Sequence, residues 1–171
     1  MKTVIYMFHP HNIPSQVNKA LAKAATNAGF EVRDMYALYP NHDIDVKAEQ
    51  ASLEGADRVI LQFPMYWYSS PSLVKLWEDL VLEHGWAYGS DGTALHGKRF
   101  AIATSTGAAE ADYSENGRMH YTVEQLFAPF HAMANLVGMT YEKPFVTGGT
   151  LGMPEADIEA AAKKYVEWLK A

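Results

Sequence analysis

Cysteine is absent from all 171 residues, which removes disulfides, thiolate nucleophiles, cysteine-ligated zinc and iron–sulfur clusters. Any redox chemistry must therefore rest on a bound cofactor. Long hydrophobic runs are also missing: no stretch approaches the roughly eighteen apolar residues of a membrane span. The opening segment, Lys2 to Phe8, reads as a strand and lacks the layout of a secretion signal, so a cytoplasmic location is expected. Positive charge is in deficit, with 14 Lys and Arg against 20 Asp and Glu. A net charge of -6 argues against broad attraction to nucleic acid or anionic lipid. GxGxxG and GxxxxGK[ST] do not occur, nor do HExxH and GxSxG, which speaks against Rossmann dinucleotide binding, P-loop, zincin and hydrolase-elbow chemistry.

What is present alternates. Residues 2–8 are apolar and β-branched, and 16–28 follow with Val17, Leu21, Ala24, Ala25 and Ala28 at helical spacing before Gly29. Strands are expected next at 30–38, 57–63, 99–104 and 140–146. Helices are expected at 46–54 behind an Asp45 cap, at 72–83, at 121–137, and after Pro154 to the end of the chain. Five βα units in one short chain imply a five-stranded parallel sheet covered by helices on both faces, a three-layer α/β fold. The connections 84–98 and 107–119 exceed compact α/β loop lengths, and long loops in small domains serve as lids or binding loops. Ligands of such sheets bind at the carboxyl edge of the strands.

Chemistry-bearing residues gather in the loops at that edge. Met65, Tyr66, Trp67 and Tyr68 are four consecutive large side chains just past a buried strand, where they either wall a flat ligand or plug the core. His9 and Ser15 flank the loop into the first helix, whose amides at Gln16, Val17 and Asn18 can hold a phosphate; Ser15 can equally be an N-cap alone. His9 and His11 share a face in an extended segment, but neither a carboxylate nor a third histidine accompanies them, so no metal is assigned. Ser105, Thr106, Gly107 and Ala108 are small enough for backbone to approach a ring edge and aim N–H donors at it, and Tyr113 and His120 add groups able to donate or accept a proton.

The order of these motifs carries a family resemblance. The run Gln62 to Pro71, Gly85-Trp86-Ala87-Tyr88-Gly89, the stretch Thr93 to Lys98 and Thr106-Gly107 resemble the flavodoxin-like NAD(P)H:quinone oxidoreductases. The likeness is nearest to the short bacterial members, including the ancillary subunits of glutathione-gated potassium-efflux systems. It implies one flavodoxin-like, flavin-binding domain over residues 1–171. It further implies FMN as cofactor (FAD in some members), NAD(P)H as co-substrate and a quinone, azo or nitroaromatic acceptor. A homodimer is implied as well, and a potassium-efflux membrane protein is the alternative partner, which would place the chain peripherally at the inner membrane face. Residue by residue, His9 and Ser15 to Asn18 would hold the flavin phosphate, while Met65 to Tyr68 and Ser105 to Ala108 would line the ribityl chain and ring. Tyr113 and His120 resemble the tyrosine and histidine that accommodate charge during hydride transfer in mammalian quinone reductases. Their spacing is one residue longer than in that pattern, and Ala108 stands where a glycine is usual.

Overall fold

The computed structural model describes residues 1–10 and 16–171. Strands β1 (Thr3–Met7), β2 (Glu31–Asp34), β3 (Arg58–Pro64), β4 (Arg99–Ser105), β5 (Thr140–Tyr141) and β6 (Phe145–Thr147) form one parallel sheet ordered β2-β1-β3-β4-β5, with β6 also paired to β4. That is the order of a flavodoxin-like doubly wound sheet, whose strand order reverses between β1 and β3. Helices α1 (Gln16–Asn27) and α7 (Glu155–Lys170) cover one face. Helices α2 (Met35–Leu38), α3 (Val46–Glu54), α4 (Ser72–Val81), α5 (Val123–Leu126) and α6 (Ala128–Leu136) lie on the other.

The period of two along each strand divides the core. Ile5, Ile60, Ala101 and Ala103 pack with Val17, Leu21, Ile158, Tyr165 and Leu169, whereas Val4, Tyr6, Leu61, Phe63 and Ile102 pack with Leu73, Val74, Trp77 and Phe130. Both faces of the central strands are buried, so these strands read as unbroken apolar runs in the sequence.

Three elements depart from the sequence pattern. The expected strand 30–38 stops at Asp34, whose carboxylate accepts the Ala37 N–H and caps the one-turn helix α2. The expected helix 121–137 breaks at Phe127, because Pro129 has no N–H to continue the α5 ladder and instead occupies the first turn of α6. The expected fifth strand divides into β5 and β6 around Lys143 and Pro144, where proline cannot donate to the ladder.

Buried polar groups tie the layers together. At the amino edge Arg58 donates to Glu142 Oε2 at 2.9 Å and to the Leu169 carbonyl at 2.9 Å, so it caps the end of α7; Arg99 binds the same carboxylate. On the opposite face Glu49, 0% exposed, accepts hydrogen bonds from Tyr39 Oη at 2.6 Å, Trp77 Nε1 at 3.0 Å and Arg33. With charge and lone pairs both answered, this carboxylate is held in the core without an orphaned acceptor. Glu78, on the outer side of α4, lines a hollow with Leu82, Phe130 and Met133, and burial pushes its carboxyl up to about 7 against the opposing pull of Lys75.

Glu49→Ala should cost about 3–5 kcal/mol in urea unfolding, because it strips Arg33 of its counter-charge and leaves two core donors unmet. Glu78 acts in the opposite sense. Its carboxyl binds a proton more tightly folded than unfolded, so its contribution is fully present below pH 4.5 and is lost as pH rises through about 7. The melting temperature of Glu78→Gln should match wild type at pH 4.5 and exceed it by a few degrees above pH 7. A gap between the two proteins that does not change with pH would place the titration elsewhere.

Candidate functional site

The carboxyl ends of β1, β3 and β4 open onto a cavity of about 420 Å3 lined by His9, Gln16, Val17, Pro64, Met65, Tyr66, Ser105, Gly107, Leu151, Met153 and Ile158, among others. Parallel strands produce this convergence, since every loop that follows a strand emerges at the same edge. Its volume lies within the range of small-molecule and cofactor sites.

The floor is polar. His9 is buried just beyond β1, and the first turn of α1 presents Gln16 and Val17 to the cavity, with Asn18 buried behind them. Asn18 Nδ2 donates to Ser105 Oγ at 2.7 Å, which fastens α1 to the end of β4. First-turn amides carry no intrahelical bond and sit at the positive end of the helix dipole, so they favour an anion here.

One wall is the loop after β4. Thr106 is buried; its N–H donates to the Thr147 carbonyl at 2.9 Å and its hydroxyl to the Ala108 carbonyl at 2.8 Å. Strand pairing continues past β6, with Thr150 N–H on the Thr106 carbonyl at 3.0 Å and Gly149 N–H on the Ala108 carbonyl at 2.8 Å. Loop 148–153 is thereby held against loop 106–108. A Cβ on Gly107 would come within 3.2 Å of the Leu151 side chain, so the small residue sets how closely these two loops approach.

The opposite wall is an aromatic hairpin. Tyr66 and Ser69 exchange both backbone hydrogen bonds, at 3.1 and 2.9 Å, and the two residues between them have positive φ: Trp67 at 47° and Tyr68 at 64°. Positive φ at both central positions is the requirement of a type I′ turn, ordinarily met by Asn-Gly. Two bulky aromatics there store strain, and Trp67 is 92% exposed at the tip. Tyr66 separates the first cavity from a second hollow of about 830 Å3 lined by Tyr36, Pro40, His42 and Trp67. Burial pushes the Tyr66 phenol up, and its hydroxyl has no hydrogen-bond partner among the described residues.

The structure thus brings His9, Gln16, Val17, Met65, Tyr66, Ser105 and Gly107 to one cavity and sets Asn18, Thr106 and Ala108 directly behind or beside it. Trp67 and Tyr68 are not among the residues lining it: they form the tip of the hairpin, and Trp67 lines the second hollow. Ser15 lies outside the described residues. Tyr113 is half-buried next to Thr106 and Tyr68; burial pushes its phenol up, and the Thr106 hydroxyl opposes that rise. His120 is not among the cavity-lining residues described: it is exposed, at φ 58°, with Nδ1 3.3 Å from the Glu115 carbonyl of its own loop. Sequence reasoning passed over Thr150, Leu151, Gly152, Met153 and Ile158. The signal was there in Gly148-Gly149-Thr150-Leu151-Gly152, a glycine-rich turn after the last strand, where Gly149 and Gly152 take positive φ.

Comparison with known proteins agrees with this fold. A family model described as the flavodoxin-like fold matches residues 1–169. YrkL of Bacillus subtilis, an uncharacterized NAD(P)H oxidoreductase, is 45% identical over 100% of this chain and 99% of its own length. KefF of Klebsiella aerogenes, an ancillary protein of a glutathione-regulated potassium-efflux system, is 42% identical over 100% of this chain and 98% of its own. General stress protein 14 of Treponema denticola, solved in complex with FMN, superposes with a TM-score of 0.92 at 39% identity, covering 99% of this chain and 98% of that one.

Replacing Trp67-Tyr68 with Asn-Gly should relieve the turn. Stability should rise by about 1–3 kcal/mol in chemical denaturation, because the tip gives up little packing, while any ligand stacked on these rings should bind more weakly. An unchanged or lower unfolding midpoint would mean that the aromatic pair carries no stored strain.

Proposed function

Since this chain belongs to the family of the flavodoxin-like fold, we propose that it is a flavin-dependent NAD(P)H oxidoreductase holding FMN in the carboxyl-edge cavity and passing electrons to a quinone or a related azo or nitroaromatic acceptor. The observation that carries the reading is the junction at the strand-order reversal. There an anion-favouring helix start, a hydroxyl donor on Ser105, a close-approach backbone at Gly107 and an aromatic wall at Tyr66 meet in one cavity. An FMN complex of a 39%-identical relative and the oxidoreductase name of a 45%-identical one support it.

The residues present fit the group. The Gln16, Val17 and Asn18 amides would receive the phosphate together with Ser15 and His9, Met65 to Tyr68 would flank the ring on one side, and Ser105 to Ala108 would approach its edge. What a flavin supplies when bound is two-electron transfer between a hydride donor and an acceptor. The chain's own part is to orient and to tune. Tyr113, beside Thr106 and Tyr68, would donate a hydrogen bond to negative charge that develops on a bound ring, and burial pushes its phenol up, which favours the protonated, donating form. His120 serves the same site only if loop 107–120 turns its ring away from Glu115. Trp67 and Tyr68, exposed at the tip, are the surface against which a second copy of the chain would close the site, as expected of a homodimer; no helix among the described residues is long and apolar enough to cross a membrane. Function is proposed to lie in the cytoplasm.

A second reading is favoured by one observation, the 42% identity to KefF: a flavin-bearing regulatory subunit docked on a potassium-efflux transporter. Both roles are compatible with one cofactor site.

Releasing and identifying the cofactor, then following NAD(P)H oxidation with a panel of quinones, azo dyes and nitroaromatics, tests the primary reading. Colourless protein that takes up neither FMN nor FAD would sink it. In stopped-flow reduction by NAD(P)H, Tyr113→Phe should slow flavin reduction roughly tenfold with flavin affinity nearly intact, the sign of a donor acting mainly in the transition state. A wild-type rate would confine Tyr113 to the wall.

A further inference from the structure

A chain of buried hydrogen bonds runs from α7 to the cavity floor. Tyr165, 0% exposed, donates from Oη to Gln62 Oε1 at 3.0 Å; Gln62 Nε2 donates to the Asn18 carbonyl at 2.9 Å; and Asn18 Nδ2 donates to Ser105 Oγ at 2.7 Å. The four residues belong to α7, β3, α1 and β4, all on the same side of the sheet.

The direction of the bonds from Tyr165 to Gln62 and from Gln62 to the Asn18 carbonyl is fixed by chemistry. A main-chain carbonyl only accepts, so Gln62 must turn its amide nitrogen toward Asn18, which turns its oxygen toward Tyr165 and obliges the phenol to donate. Asn18 directs its NH2 to Ser105 at 2.7 Å, with its Oδ1 3.5 Å from the same Gln62 nitrogen. Every member donates to the next. Ser105 stands at the end with a lone pair engaged by Asn18 and its own hydroxyl proton without an acceptor among the described residues, on the wall of the cavity.

We propose that Tyr165 and Gln62 are positioning residues of this site: through Asn18 they polarise Ser105 so that its hydroxyl serves as a hydrogen-bond donor toward the cavity, meeting an acceptor oxygen on the ribityl–phosphate arm of a bound flavin. The inference rests on the flavin reading above. It gives a function to two polar side chains buried in a face otherwise filled by Ile5, Ile60, Leu21 and Leu169, where apolar residues would pack at no polar cost. Tyr165 lies 103 residues from Gln62 in the sequence, so only the fold connects it to the site.

A double-mutant cycle on the apo-protein tests the chain, with FMN dissociation constants read from quenching of flavin fluorescence. Tyr165→Phe should weaken FMN binding roughly fivefold, the equivalent of one ordinary hydrogen bond, when Ser105 is intact. In the S105A background the same substitution should change the constant by less than about twofold, since the donor it orients is gone. Equal losses in both backgrounds, or no loss in either, would reduce Tyr165 to a packing residue and overturn the proposal. Should Tyr165→Phe fail to give the wild-type far-ultraviolet dichroism and cooperative unfolding, Gln62→Met replaces it in the cycle with the same expectation. Wild-type protein that binds no FMN would instead defeat the flavin reading itself.

Discussion

Double-sided burial of β1, β3 and β4 is the constraint from which the rest follows. Parallel strands cannot be joined by tight turns, so each must be followed by a crossover that packs on the sheet, and helices must supply it. With both faces covered, water and ligands reach the strands only at their ends. Loops after the strands then meet at one edge, and reversal of strand order between β1 and β3 opens a crevice there. The cavity is thus a product of topology before any side chain is chosen.

Buried polar groups have different tasks at different levels of the sheet. At the amino edge, Arg58, Arg99 and Glu142 fasten the end of α7 to β3 and β4, a clamp far from the cavity. Glu49 joins α3 to β2, α4 and the segment at Tyr39 on one face. The chain through Gln62 and Asn18 reaches the carboxyl edge, and it runs through the opposite face. The molecule therefore separates anchoring by full charge from orientation by neutral amides and hydroxyls. Neutral groups carry direction without a large field.

Periodicity disclosed the architecture well. Apolar runs such as Val59-Ile60-Leu61 and spacings such as Val17, Leu21 and Ala25 reflect burial, and burial dominates these elements. Where local chemistry overrode burial, the pattern misled: Asp34 capped a helical turn inside an expected strand, and Pro129 and Pro144 interrupted ladders that hydrophobicity alone would have continued. The cavity wall built from the loops after β1, β3 and β4 was legible because strand ends mark the edge. Leu151, Met153 and Ile158 were not, since their approach depends on pairing between loops 106–108 and 148–153, a contact distant in sequence. Nor can alternation of apolar residues reveal which way an amide faces, so the role of Gln62 emerged only from its partners.

The aromatic hairpin at Trp67 and Tyr68 has a consequence for binding. The positive-φ turn fixes the Cα–Cβ directions of Trp67 and Tyr68 during folding, so a planar molecule docking on them would not bear the backbone share of the ordering cost. A flexible loop of identical composition would offer the same rings but would add a backbone-ordering penalty to every arrival.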